Sequence, residues 1–169
     1  MSEEKLMEKI KDITREAGEI MLTAVHPKVM EKGGHANFVT ETDEKIQAFL
    51  IENLKTVLPE AAFLGEEDGQ DVFTEKMSSG YCFVIDPIDG TSNFSYSYRP
   101  SVISVGLRKD GKPYMGVIYN PFENMMLHAV SGQGAFSNGE KIMSSESPLS
   151  ESLALFGTSP YYDGFRDRT

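Results

Sequence analysis

The sequence predicts an α+β protein in which layered helices pack on one face of a largely antiparallel sheet. Three observations predict it. Residues 6–57 carry two stretches with apolar side chains at three- and four-residue steps, and the rest carries short apolar runs. Those runs are joined by tight-hairpin dipeptides, Asp110-Gly111 and Asn138-Gly139. Helices followed by hairpin-linked strands, with no internal repeat, are the signature of helices laid on a meander.

The bulk properties agree. A chain of 169 residues suits one globular domain, and 40% hydrophobic with 25% charged residues is ordinary for a folded protein. Lys and Arg number 16 against 26 Asp and Glu, a formal charge of −10. That balance argues against a nucleic-acid partner, which needs a basic face, and against an anionic membrane surface. One cysteine, Cys82, excludes an intramolecular disulfide, and three histidines, His26, His35 and His128, make a Cys/His zinc cluster improbable. No apolar run reaches the ~18 residues of a membrane helix, and the charged stretch Met1 to Lys11 lacks the apolar core of a signal peptide. The expected location is cytoplasmic.

The first helix has Leu6, Ile10, Ile13, Ala17, Ile20 and Ala24 in one stripe, widened by Met7, Met21 and Val25, with Pro27 closing it. Lys32 to Asn37 is a loop, and Phe38-Val39-Thr40 a short extended piece. A second helix buries Ile46, Phe49, Leu50, Leu54 and Val57 and ends at Pro59, with Thr42 or Thr40 as its N-cap. Ala61–Leu64 and Tyr81–Ile85 are buried strands flanking a polar loop, 68–80. Val102–Arg108, Tyr114–Tyr119, Met125–Val130 and Gly134–Ser137 continue the meander, with a turn at 121–124 and a last strand at 152–156. Met30, Met115, Met125, Met126 and Met143 are expected as core filler, and His128 as a structural residue.

The chemistry concentrates in Asp86-Pro87-Ile88-Asp89-Gly90-Thr91. A buried strand runs into two aspartates, then a glycine, a hydroxyl and a helix start. Burying carboxylates unpaired is costly, so their placement makes sense beside a hard divalent cation such as Mg²⁺, with an inward Ile88 carbonyl as a neutral ligand. The N–H groups of Gly90 and Thr91 would cradle a phosphate oxygen. The plainer alternative is an Asp-Gly turn with a capping aspartate. Glu66 follows the preceding strand, and if the two strands share a sheet it reaches the same pocket; three such carboxylates require metals, pointing to a two-metal arrangement. Asp43 is either a helix-dipole partner, favoured by spacing alone, or a contributor to the site.

The segment from Asp86 to Phe94 resembles the signature of the inositol monophosphatase family, within the lithium-sensitive, magnesium-dependent phosphatases. Gly65-Glu66-Glu67, the stretch from Asn37 to Asp43, and the hairpin from Gly132 to Gly139 resemble further motifs of that family. The resemblance implies hydrolysis of a phosphate monoester, inositol 1-phosphate or a related sugar phosphate, by metal-activated water using two or three Mg²⁺. It implies that Glu66, Asp86 and the Ile88 carbonyl hold one ion and that Asp86 and Asp89 share a second. It further implies that Asp43 with Thr91 orients and deprotonates water assisted by Glu66, and that Asp89, Gly90 and Thr91 meet the substrate. Lys32 falls where the family has a basic residue near the outermost metal. A homodimer and a small phosphorylated substrate are the implied partners.

Family members continue into a second α/β layer bearing a Trp-Asp motif that completes a metal site, whereas this sequence has no Trp. The C-terminal layer is therefore expected to be missing. Residues 1–160 would form an N-terminal metal-binding domain, and 161–169 the start of a cut-off helix or a disordered tail. The open expectations for such a chain are partial folding, weak binding of one metal, inactivity, or the front part of a longer enzyme, with a non-catalytic metal-binding or dimerisation domain as the alternative. Ser92-Asn93 distinguishes the sequence from 3′-phosphoadenosine 5′-phosphate phosphatases, which carry Lys-Glu there, while fructose-1,6-bisphosphatase-like activity stays open. A glycosidase using Glu66 and Asp86 leaves the Gly90-Thr91 cradle unexplained.

Overall fold

The computed structural model describes residues 1–24, 29–31, 38–65, 79–98 and 101–151. Helix α1 (Glu3–Thr23) opens on Ser2, whose hydroxyl accepts from the Lys5 N–H at 3.3 Å, with Glu3 and Glu4 in the first turn favouring the helix dipole. Strand β1 (Val29–Glu31) pairs antiparallel with β2 (Phe38–Thr40) as a separate ribbon. Helix α2 (Glu41–Val57) follows at once. Of the two N-cap candidates, Thr42 lies inside the helix and is buried, whereas Thr40 occupies the position before it.

A seven-stranded sheet follows in chain order: β3 (Ala62–Gly65), β4 (Tyr81–Asp89), β5 (Val102–Lys109), β6 (Lys112–Asn120), β7 (Met125–Val130), β8 (Gly134–Ser137) and β9 (Glu140–Ile142). Only β3 and β4 pair in parallel; every other neighbour is antiparallel, as the α+β expectation requires. Between β4 and β5 lies a one-turn helix, α3 (Thr91–Ser95). Both hairpin dipeptides work as expected: Asp110 and Gly111 have φ of 49° and 74°, Asn138 and Gly139 47° and 87°, so both central residues are left-handed, as a tight hairpin needs. The turn after β6 is held by Asn120 Oδ1, which accepts from the N–H groups of Phe122 (3.0 Å) and Glu123 (3.3 Å).

The core sits between the helices and one sheet face. Ile10, Ala17 and Met21 of α1 and Ile46, Leu50 and Leu54 of α2 are essentially inaccessible, and so are Phe83, Ile85, Ile103, Val105, Leu107 and Val117 of the sheet. α1 lies over β5 and β6, and α2 over β4. The approach of α1 is set by Gly18, where a Cβ would fall 2.5 Å from Tyr119 Cε1. On the other face, Leu64 and Cys82 make a smaller cluster with Ala62 and Val84. The methionine expectation holds for Met115 and Met126, which are buried, and fails for Met143. Met143 follows β9, an edge strand exposed along its length, and nothing covers it among the described residues. The strand expected at 152–156, Pro27, the loop at 32–37 and the domain boundary at 160 lie outside the described residues. Among those described, no helix is long and apolar enough to cross a membrane.

Candidate active site

The strand bearing the two aspartates is longer than its apolar run, because β4 continues through Asp89. Its register explains how the acids come together. Asp86 faces Ser104 and Asp89 faces Val102, so three steps on β4 answer two on β5. The extra residue is a β-bulge at Pro87-Ile88, where proline supplies no N–H for the ladder. Directly opposed residues share a sheet face. Without the bulge an odd spacing would put the aspartates on opposite faces; with it, both join the face of Ser104 and Val102. Asp86 is half-buried and Asp89 exposed.

Gly90 then turns the chain into α3 with φ 91° and ψ 39°, a left-handed geometry that suits glycine, and no side chain caps the first turn of that helix. The Gly90 carbonyl accepts from Phe94 N–H at 2.9 Å and from Ser101 Oγ at 3.1 Å, which ties the turn to the start of β5. Thr91 Oγ1 lies 2.9 Å from the Ile88 carbonyl and 3.1 Å from Asp43 Oδ1. With a single proton it donates to one of these acceptors at a time.

Asp43 comes from the first turn of α2 and is 4% exposed. Both sequence readings of it therefore meet in one residue: it sits where a helix dipole favours a carboxylate, and it joins the Thr91 cluster. The parallel register of β3 with β4 pairs Gly65 with Ile85, so the chain leaves β3 beside Asp86. Glu66 and Lys32 themselves lie outside the described residues. Among the described residues no three His, Cys, Asp or Glu side chains form a metal-holding group.

The donor set nonetheless suits a hard cation. It offers two carboxylates on one face and a carbonyl between them, all oxygen. Ile88 O has two lone pairs, of which the Thr91 hydroxyl can engage one. The bulge and the Asp43–Thr91 bond were the features missed by sequence reasoning from spacing. Pro87 between two acids was the available signal for the bulge.

Comparison with known proteins identifies the family and the fold. The sequence profile of the inositol monophosphatase family matches residues 2–163. Inositol monophosphatase 2 of Saccharomyces cerevisiae is 39% identical over 137 residues, covering 79% of this chain and 47% of its own. The Thermotoga maritima IMPase structure superposes with a TM-score of 0.74 at 30% identity, over 85% of this chain and 54% of that one. The inositol monophosphate-bound IMPase-II of Staphylococcus aureus superposes with a TM-score of 0.67 at 28% identity, over 85% and 51%. The chain thus spans about half the length of the curated relatives it matches.

Proposed function

The chain belongs to the inositol monophosphatase family, and on that premise we propose that its site hydrolyses a phosphate monoester, inositol 1-phosphate or a related sugar phosphate, with water as nucleophile. The observation that carries the proposal is the Asp43–Thr91–Ile88 cluster, at 3.1 and 2.9 Å, beside two aspartates that a bulge turns to one face. In this reading the hydroxyl of Thr91 donates to buried Asp43, which leaves an Oγ lone pair for a proton of the attacking water. That proton passes to Thr91 as the Thr91 proton passes to Asp43, with Glu66 assisting. The water oxygen forms the new P–O bond, the ester P–O bond breaks, and the alcohol leaves with a proton from solvent. Asp89 and the N–H groups of Gly90 and Thr91 position the phosphate.

Two or three Mg²⁺ complete the proposal. Glu66, Asp86 and the Ile88 carbonyl would hold one and Asp86 with Asp89 a second, their oxygen donors fitting the ion. When bound, such ions supply Lewis-acid activation of water and positive charge for the phosphoryl oxygens. The same proposal places the protein in the cytoplasm, as a homodimer whose partner molecule is a small phosphorylated polyol.

A second reading is a non-catalytic metal-binding or dimerisation domain, with residues 1–160 as its body. Phosphate release from inositol 1-phosphate, fructose 1,6-bisphosphate and 3′-phosphoadenosine 5′-phosphate, with Mg²⁺ or EDTA, separates them. Turnover that needs Mg²⁺ and disappears in Asp86→Asn supports hydrolysis and ranks the substrates. Mg²⁺ binding with no turnover on any ester supports the second reading.

A further inference from the structure

A polar cavity of about 450 Å³, sharing no lining residue with the catalytic candidates, opens between α1 and the β7–β8 hairpin. Its lining includes Lys11, Arg15, Asn124, Met126, His128 and Asn138, and no carboxylate among the described residues. Lys11 and Arg15 are four residues apart, so they project from one side of α1. Their ion pairs are with Glu8 (2.8 Å) and Asp12 (3.0 Å), whose side chains are 57% and 60% exposed. Exposed pairs of that kind are weak and readily exchanged for a ligand.

The opposite wall presents donors. Asn124 uses its Oδ1 to accept from Tyr119 Oη at 3.1 Å, which turns its amide nitrogen to other use. Asn138 accepts from Met126 N–H at 2.8 Å and donates one of its two amide hydrogens to the Asn124 carbonyl at 3.3 Å. The other hydrogen is left over. His128 stacks on Phe136, centroids 5.1 Å apart, and its Nδ1 is buried without a hydrogen-bond partner. A buried polar atom left unsatisfied is costly, and a native structure that keeps one calls for an explanation.

Two cations, two amides and an imidazole around one space, with no acid among the described lining residues, suit a ligand that only accepts. We propose that this cavity binds a compact multivalent oxyanion of the phosphate or polycarboxylate class, bridged between Lys11 and Arg15 and bordered by His128, Asn124 and Asn138. The charged groups acting on the imidazole are Lys11 and Glu8 of α1, with Phe136 of β8 packed against its ring. Burial first and Lys11 second hold the His128 pKa below its ordinary value, against a smaller opposite effect of Glu8. An anion seated beside the ring would favour the imidazolium and oppose that shift.

The test follows the His128 ring by NMR in the full chain, its signals identified with His128→Gln. Inorganic phosphate is titrated in EDTA at constant ionic strength, so the Mg²⁺-dependent site plays no part and its failure or success is scored separately. The expected result is a saturable movement of the His128 signals with a raised titration midpoint. Lys11→Met with Arg15→Met should weaken the apparent affinity by about tenfold or more, as loss of two charge-assisted bonds requires. The exchange Lys11→Arg with Arg15→Lys should retain it, which separates loss of charge from damage to the fold. Absence of a saturable shift in the wild-type chain, or an equal shift in the charge-deleted variant, overturns the proposal.

Discussion

Thr91 and Asp43 are separated by 48 residues in sequence, and their hydrogen bond can be weighed by a double-mutant cycle with Thr91→Val and Asp43→Ala. The acceptor carboxylate is 4% exposed and the donor–acceptor distance is 3.1 Å. A hydrogen bond to a charged group contributes about 1.5–3 kcal/mol. The same hydroxyl proton is shared with the Ile88 carbonyl at 2.9 Å, which brings the coupling to or just below the lower limit of that range, about 1–1.5 kcal/mol. Thr91→Val alone removes the one proton that Asp43 and the Ile88 carbonyl share and should destabilise the fold by about 1–3 kcal/mol. Urea unfolding of the four proteins reads both quantities, provided the m-values stay constant. Turnover of the same set adds the catalytic arm: Thr91→Val should lower kcat by roughly 10²–10⁴-fold, with KM changing far less, while Thr91→Ser keeps most of the rate. A coupling below about 0.5 kcal/mol, the scatter of independent sites, would show that the two residues do not act together.

Three further outcomes follow from the packing and electrostatics. Gly18→Ala should lower stability by about 1–3 kcal/mol despite alanine's helix preference, read as a lower thermal midpoint. Its Cβ would meet the Tyr119 ring, which is buried and anchored to Asn124 at 3.1 Å. Gly90→Ala should cost about 1–2 kcal/mol in urea unfolding, because φ of 91° with ψ of 39° is left-handed. Tyr114 donates to Glu3 Oε1 at 2.6 Å, and this bond, then burial, pushes its phenol up to about 12. Folding thus favours the protonated phenol: its contribution is full below about pH 10 and is lost as pH rises towards 12. Absorbance titration of the phenolates should show the late-titrating tyrosine vanish in Tyr114→Phe and move down towards the ordinary midpoint in Glu3→Gln.

What was legible in the sequence was periodic or chemical in a local way. The α1 stripe through Ile10, Ala17 and Met21 reports its buried face directly, and Asp110-Gly111 and Asn138-Gly139 report left-handed turns that few other residue pairs tolerate. What escaped is set by tertiary packing. β1 is three residues long and exists by pairing with β2, so no pattern announces it. Gly18 looks like a weak point in a helix until the Tyr119 ring lies against it. The site follows the same division. The acids at 86 and 89 stand out in the sequence, but their common face depends on a bulge seen only through the β5 register. Spacing alone favoured Asp43 as a dipole partner; its bond to Thr91 joins two helix starts that only the fold brings together.

The roles proposed for these residues separate most cleanly in a calorimetric Mg²⁺ titration of the substrate-free wild-type chain, Asp86→Asn and Thr91→Val, run alongside phosphate release from inositol 1-phosphate. The proposed site predicts saturable binding by the wild type, binding weakened at least about tenfold in Asp86→Asn after loss of a charged ligand, and near-normal binding with lost turnover in Thr91→Val. Asp86→Asn binding Mg²⁺ as tightly as the wild type would contradict it.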